Sequence, residues 1–352
     1  MGVDDLTTRV GEWLHGTGPL ADIVISSRIR LARNLSSYPF LHRASDDERR
    51  EIYRVLADSF ATAGLDRNSL LLDLEELDDL DRQVLVERHL ISRQHANAHG
   101  SRGVAVSASE TRALMINEED HLRMQVLRSG LALEPLWEEI NELDNVLSAQ
   151  VEFAFDDRLG YLTACPTNVG TGLRVSVMLH LPALKLTGEI DKVLRAAKDL
   201  RLAVRGLYGE GTEAIGDFYQ VSNQITLGRA EEEVIEEFSG RIIPRVVEYE
   251  QAARDALSRE RSMQLDDKVW RAFGVLENAR AMASDETMFF LSHVRMGVSM
   301  GRLSTIDVNT INELLLQIQP AHLQKIHGAV LNGEERSIAR AKYLRHKLGS
   351  NN

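Results

Sequence analysis

The chain has 352 residues, a formal net charge of −12 and a single cysteine. That length suits one large domain or two modest ones with a substantial core, while one cysteine and no apolar run near the roughly 18 residues of a membrane span imply a reduced, soluble, cytoplasmic setting. The acidic balance excludes a general nucleic-acid binder, which needs a basic footprint to displace counterions, so any polyanion must meet a local basic pocket.

In chain order, "MGVDDL" carries Leu6 where a myristoylation signal wants Ser or Thr, so no lipid anchor is expected. "SSRIR" follows: Ser26 and Ser27 lead a strand on which Arg28 and Arg30, two apart, share a face. Ser45 and Glu48 form a capping box ahead of Ile52, Val55, Leu56 and Phe60, which fall on one helical face. His89 ends an amphipathic run in "VERHLIS", and "NEEDHLR" supplies Glu119 and Arg123. Leu136, Ile140, Leu143 and Val146/Leu147 mark another helix, as do Ile190, Val193, Leu194 and Ala197.

Between those helices lies "CPTNVGTGLR", residues 165–174. It lacks the lysine of a Walker cradle. It offers instead Gly170 and Gly172, which let backbone amides approach an anion, and then a strand in which Leu173, Val175, Val177 and Leu179 alternate with Arg174, Ser176 and Met178. "RGLYGEGTE" puts Arg205 at the end of a further strand before a glycine-rich loop, and "FYQVSNQITLG" alternates again. After Ala230 the strands stop, and helices interrupted at Pro244, Gly297 and Pro320 follow, so a domain boundary is expected near residue 250, dividing 1–250 from 251–352.

One arginine is ordinarily a solvated charge, and one glycine turn is ordinarily structural. Several arginines at strand ends beside glycine loops in an acidic chain fit the planar donors that a nucleotide triphosphate selects.

"SSRIRLARN", "NEEDHLR", "CPTNVGTGLR" and "RGLYGEGTEAIGDFYQVSNQITLG" resemble, in that order, the signature segments of the phosphagen (guanidino) kinases, covering about Ser26 to Gly228. The resemblance implies an α+β fold, an antiparallel sheet flanked by helices, and transfer of the γ-phosphoryl group of Mg²⁺-bound ATP to a guanidinium. It implies that Arg28, Arg30, Arg123, Arg174 and Arg205 clamp the phosphates. Ser26 to Arg30 (Ser27 and Ile29 included), Arg174 to Met178 (Val175, Ser176 and Val177 included) and Arg205 to Glu210 (Gly206, Leu207, Tyr208 and Gly209 included) would line the nucleotide, with His89 on the adenine side. No metal ligand among the side chains is expected.

"SSRIR" begins at Ser26, where small-substrate members of the family carry a helical domain first, and the chain ends in a helical extension. This arrangement resembles the bacterial protein arginine kinases, which act on arginine side chains of proteins and mark them for a Clp-type protease and unfoldase in stress response. A zinc-finger activator protein is a further partner implied by that branch. A metabolic small-guanidine kinase and a non-catalytic phosphoarginine-binding adaptor are the alternatives.

A guanidinium, with a pKa above about 12, is a poor nucleophile until a carboxylate aligns it and draws off a proton. Glu119 and Glu210 are the candidates for that pair, and both match catalytic glutamates of the family. Cys165 is implied to stand beside the substrate guanidinium rather than to form a covalent intermediate. In the tail, "ERSIARAKYLR" resembles an Arg-Asp-x-x-Arg-Ala phosphoarginine-binding element, with Arg336, Ser337, Arg340 and Ala341 in its places and Ser337 where the pattern has Asp. Trp270, Phe273, Leu276, Phe289, Phe290 and Leu315 give the extension enough apolar surface to expect a homodimer.

Overall fold

The alternating segments between Val24 and Asn223 pair into one antiparallel sheet in the computed structural model, which describes residues 2–62, 69–206 and 214–349. Its strands are β1 Val24–Arg33, β2 Leu70–Asp73, β3 Gly103–Val106, β4 Arg112–Ile116 and β5 Leu122–Ser129, then, after a separate hairpin of β6 Phe155–Asp156 and β7 Gly160–Tyr161, β8 Leu173–His180, β9 Leu202–Arg205 and β10 Phe218–Asn223. The eight-stranded order is β2-β3-β4-β5-β1-β8-β10-β9. The expected α+β architecture is borne out.

Register explains how one sheet serves two purposes. Arg30 stands opposite Gln125 of β5 and Arg174 of β8, and Arg28 opposite Leu127 and Ser176, so these side chains emerge on one face. The residues between them, Ile29, Val126, Val175 and Val177, are fully buried on the other face. There they pack with Leu136, Ile140 and Leu143 of the helix Leu133–Ser148. The capping box is also present: Ser45 N–H donates to Glu48 Oε2 at 2.7 Å and Glu48 N–H to Ser45 Oγ at 3.3 Å, opening the helix Asp46–Thr62.

Buried ion pairs tie loops to this frame. Arg33 donates through Nε and Nη2 to Asp144 and through Nη1 to the carbonyl of Thr171 at 2.9 Å, joining β1, a helix and the loop ahead of β8. Arg88 makes a similar fork to Glu110, with both contacts at 2.7 Å.

From Glu231 onward the chain is helical, but the expected interruptions differ in kind. Pro244 falls just after a π-turn at Phe238–Ile242 that joins the helix Glu231–Glu237 to the helix Ile243–Glu260, so the chain stays helical through it. Pro320 opens the helix Pro320–His327. Gly297 interrupts nothing. It lies inside the helix Ser284–Ser299, where an added Cβ would come within 2.3 Å of Val269 Cγ1, so it is glycine because two helices touch there. Residue 250 sits within a helix, and Glu250 accepts from the amides of Ala183 and Leu184 at 3.1 and 3.0 Å, capping a helix of the sheet-bearing part.

Arg295 joins the two parts most tightly. Fully buried, it donates to Asn312 Oδ1 at 2.9 Å and to the carbonyls of Asp22 at 2.9 Å and Ala21 at 2.7 Å, and it meets His180 Nδ1 at 3.0 Å. Burial and the neighbouring Arg254 push its pKa down to about 9. Replacing Arg295 with Met strands these acceptors, and denaturant unfolding is expected to show a loss of about 3 kcal/mol or more, with little rescue by Lys because a point charge cannot reproduce the fork. A loss under about 1 kcal/mol would contradict this reading of the junction.

Candidate active site

The face of the sheet carrying Arg28 and Arg30 opens into a cavity of about 580 Å³. Arg28, Arg30, Arg123, Arg174 and Arg205 line it from β1, β5, β8 and β9, together with His89, Glu118, Glu119 and Cys165. Neutral acceptors hold some of the guanidiniums: Arg28 Nη2 donates to Gln220 Oε1 and Arg174 Nη2 to Ser222 Oγ, each at 2.9 Å.

These cations are crowded. Burial, then Arg174, Arg123 and Arg205, lower the pKa of Arg28 to about 10, and burial with Arg28, Arg123 and Arg174 lowers Arg30 well below its ordinary value. Arg30 Nε is buried without a hydrogen-bond partner among the described residues. A desolvated group of like charges with an unused donor is the signature of a polyanion site. A second hollow of about 440 Å³, near Arg9, Glu12 and Glu110, has no such cluster, and its Glu110 is already engaged by Arg88.

Two carboxylates in the same cavity flank Arg123, Glu118 at 2.6 Å and Glu119 at 3.0 Å. Their environments differ. Burial would raise Glu118, but Arg123, the Ser92 hydroxyl at 2.6 Å and His95 outweigh it and hold its pKa below the usual value. Glu119 is raised, chiefly by burial and further by Asp120 and Glu118. Asp120 Oδ1 accepts from the Ala164 amide and from Asn34 Nδ2, both at 2.7 Å, which ties the carboxylate loop to the loop bearing Cys165. Cys165 is half-buried, with Sγ 3.0 Å from Thr167 Oγ1.

The profile of the ATP:guanido phosphotransferase C-terminal catalytic domain matches residues 51–253, and that of the protein-arginine kinase McsB C-terminal domain matches residues 262–352. The protein-arginine kinase of Halothermothrix orenii is 45% identical across 99% of each chain. The chain belongs to the protein-arginine kinase branch of the ATP:guanido phosphotransferase family. The protein-arginine kinase of Symbiobacterium thermophilum is 47% identical over 99% of this chain and all of that one. Among solved structures, a lombricine kinase is similar with a TM-score of 0.59 and 27% identity, covering 69% of this chain and 71% of that one. The duplicated taurocyamine kinase of Schistosoma mansoni gives 0.60 and 26%, covering 70% of this chain and 35% of that one.

Within this guanido phosphotransferase, not every residue expected at the nucleotide reaches the cavity. Ser26, Ser176 and Met178 line a recess beside His89, but Ile29, Val175 and Val177 point into the helix-covered core because strand side chains alternate. Ser27 is also turned away; its Oγ donates to the Gly130 carbonyl at 2.7 Å and accepts from the Ala132 amide at 3.1 Å. Arg205 is in the cavity and Gly206 ends the described strand region, whereas Leu207, Tyr208, Gly209 and Glu210 lie outside the described residues.

The glycines of "NVGTGLR" do not present amides to an anion. Gly170 N–H donates to Tyr161 O at 3.2 Å and Gly172 N–H to Asn168 O at 3.1 Å. Their need is steric: at Gly172, with φ +65°, a Cβ would stand 2.6 Å from Ala32 O, and at Gly170, with φ +111°, 2.6 Å from Thr226 O. From that loop it is Cys165, Thr167 and Asn168 that face the cavity. Sequence reasoning missed Glu118, Ser92, Gln125 and Gln220. Strand parity with Arg123 and Ser222 could have found the two glutamines.

In the tail, Arg336 and Arg340 each bond to backbone carbonyls of the helical part. Arg340 is buried, donating to Ile318 O at 2.8 Å and Met282 O at 2.9 Å, while Arg336 donates to Leu331 O at 2.7 Å. Ser337 Oγ donates back to Gly333 O at 3.0 Å, and Ala341 is fully buried. Arg340→Ala is therefore expected to lower unfolding stability by roughly 2–4 kcal/mol, and Arg336→Ala by less than about 1 kcal/mol. Equal losses in denaturant titrations would contradict the division.

Proposed function

We propose that the chain transfers the γ-phosphoryl group of ATP to arginine side chains of proteins. The observation that carries this reading is one cavity that holds a cluster of guanidiniums and, beside Arg123, a pair of carboxylates. Arg28, Arg30, Arg123, Arg174 and Arg205 hold the phosphates, their charge directed where negative charge accumulates during transfer. His89 borders the base. The substrate guanidinium enters at the carboxylate end, where Glu119 accepts a fork of hydrogen bonds and takes the departing proton; its raised pKa suits a base better than that of an ordinary glutamate. Glu118 keeps Arg123 in place, Glu210 is the second aligning carboxylate, and Cys165 stands beside the guanidinium.

Mg²⁺ would be held by the phosphate oxygens of the nucleotide and by water. Bound there, it would supply charge neutralisation on the phosphates.

The wider setting belongs to the same proposal. The enzyme acts in the cytoplasm; no helix among the described residues is long and apolar enough to cross a membrane. Its catalytic part spans residues 1–250, and residues 251–352 form a helical dimerisation and regulatory part. Trp270 and Phe289, each 50% exposed, join Met263, Val330 and Ile338 as exposed apolar groups available to a homodimer contact, while Phe273, Leu276 and Leu315 pack inside. Phosphoarginine recognition in the tail rests on Arg336 and Ser337, with Arg340 and Ala341 fixing the helix. A zinc-finger activator and a Clp-type protease and unfoldase act before and after the reaction.

The test is incubation with ATP and a mixed proteome, then mass-spectrometric mapping of acid-labile phosphoarginine. Wild-type protein should label protein arginines in preference to free arginine, while Glu119→Gln retains ATP binding and loses about a hundredfold or more in rate. Efficient, saturable turnover of free arginine, or near-wild-type transfer by Glu119→Gln, would refute the assignment.

A further inference from the structure

We propose that Trp13 is a positioning residue for the nucleotide, fixing the His89 ring at the base end of the arginine cavity and so setting affinity for the nucleoside part of ATP. This rests on reading the cavity as an ATP site. Trp13 lies outside the stretches matched by the family profiles, which begin at residue 51.

Trp13 sits in the short 3₁₀ turn Glu12–Leu14 and is 5% exposed. Its ring meets His89 edge-on, with centroids 4.7 Å apart and an interplanar angle of 80°. His89 is held in a left-handed conformation, φ +60°, which a non-glycine residue keeps only when its surroundings over-determine it. Gln125 Nε2 supplies a second constraint, donating to the His89 carbonyl at 2.6 Å. Burial, then Arg28 and Arg93, push the imidazole pKa down to about 3, so the ring faces the cavity uncharged and adds no further cation beside the arginines.

The Trp13–His89 pair closes a recess continuous with the main cavity, since Arg28, His89 and Gln220 line both. Leu127 and Met178 give the recess apolar walls, and Ser176 Oγ is buried there without a partner among the described residues. The recess holds only about 10 Å³, so it backs the His89 ring rather than admitting a ligand, and a planar heterocycle would lie in the main cavity against this partly apolar wall. Behind the ring, Leu315 and Leu316 of the helix Val308–Gln317 pack near Trp13. Trp13 Nε1 has no acceptor among the described residues, so packing alone orients the indole. Two bonds anchor the segment: Asn312 Nδ2 donates to Leu14 O at 3.0 Å, and Gly16 N–H to Ser129 Oγ at 2.9 Å.

Binding of ATP and of inorganic tripolyphosphate, measured by calorimetry on the full chain, separates the base end from the phosphate end. Wild type should bind both. Trp13→Leu should weaken ATP about tenfold and leave tripolyphosphate within about twofold, the scale of one lost aromatic contact, while Trp13→Phe recovers most of the ATP affinity. ATP should also change wild-type tryptophan fluorescence, and that change should vanish in Trp13→Phe although Trp137 and Trp270 remain. Trp13→Leu or Trp13→Phe, folded by circular dichroism, binding ATP as wild type does, or losing both ligands alike, would overturn the proposal. Wild type binding neither ligand would instead overturn the ATP-site reading beneath it.

Discussion

The structure depends on a repulsion. Antiparallel register sets Arg30 directly across from Arg174, with Arg28 one step along the same face and Arg123 on the next strand. Like charges opposite one another weaken a sheet, and burial sharpens the penalty. The arrangement persists because the other face of the same strands, Ile29, Leu31, Val175 and Val177, is fully buried in the core, where each side chain contributes about 1.5–3 kcal/mol. Apolar burial on one face stabilises a charge cluster on the other that a bound polyanion would relieve further.

That account also explains the buried polar contacts around the cavity. Gln220 and Ser222 give Arg28 and Arg174 neutral acceptors. Where a carboxylate is present, as at Arg123, it stands at the guanidine end, with Glu118 and Glu119 in contrasting environments. The helical part reaches this region through Arg295, which grips the segment before β1, and through Leu315 and Leu316 behind Trp13.

Much of this was legible in the sequence, and the limits have physical reasons. Period-two alternation identified β1 and β8 and put Arg28, Arg30 and Arg174 on a ligand-facing side. The same alternation, applied residue by residue, would have removed Ile29, Val175 and Val177 from the nucleotide contacts; a contiguous motif hides the fact that half its side chains point away. Gly172 read as a phosphate cradle because sequence shows that a glycine is needed but not which neighbour requires it, here the Ala32 carbonyl. Gly297 misled for the same reason, since a helix–helix contact looks like a helix break until Val269 is seen beside it. Arg340 kept a motif's spacing, yet tertiary carbonyls occupy donors that the spacing alone left available.

The most direct test of the central claim is the melting temperature of wild type and Arg30→Met, with and without Mg-ATP. Because the folded environment depresses the Arg30 pKa, its charged form destabilises the fold at neutral pH. Arg30→Met should therefore melt at or above the wild-type temperature without ligand, and the ATP-induced rise seen in wild type should be lost. A ligand-free variant that melts well below wild type, yet still gains stability from ATP, would contradict the account.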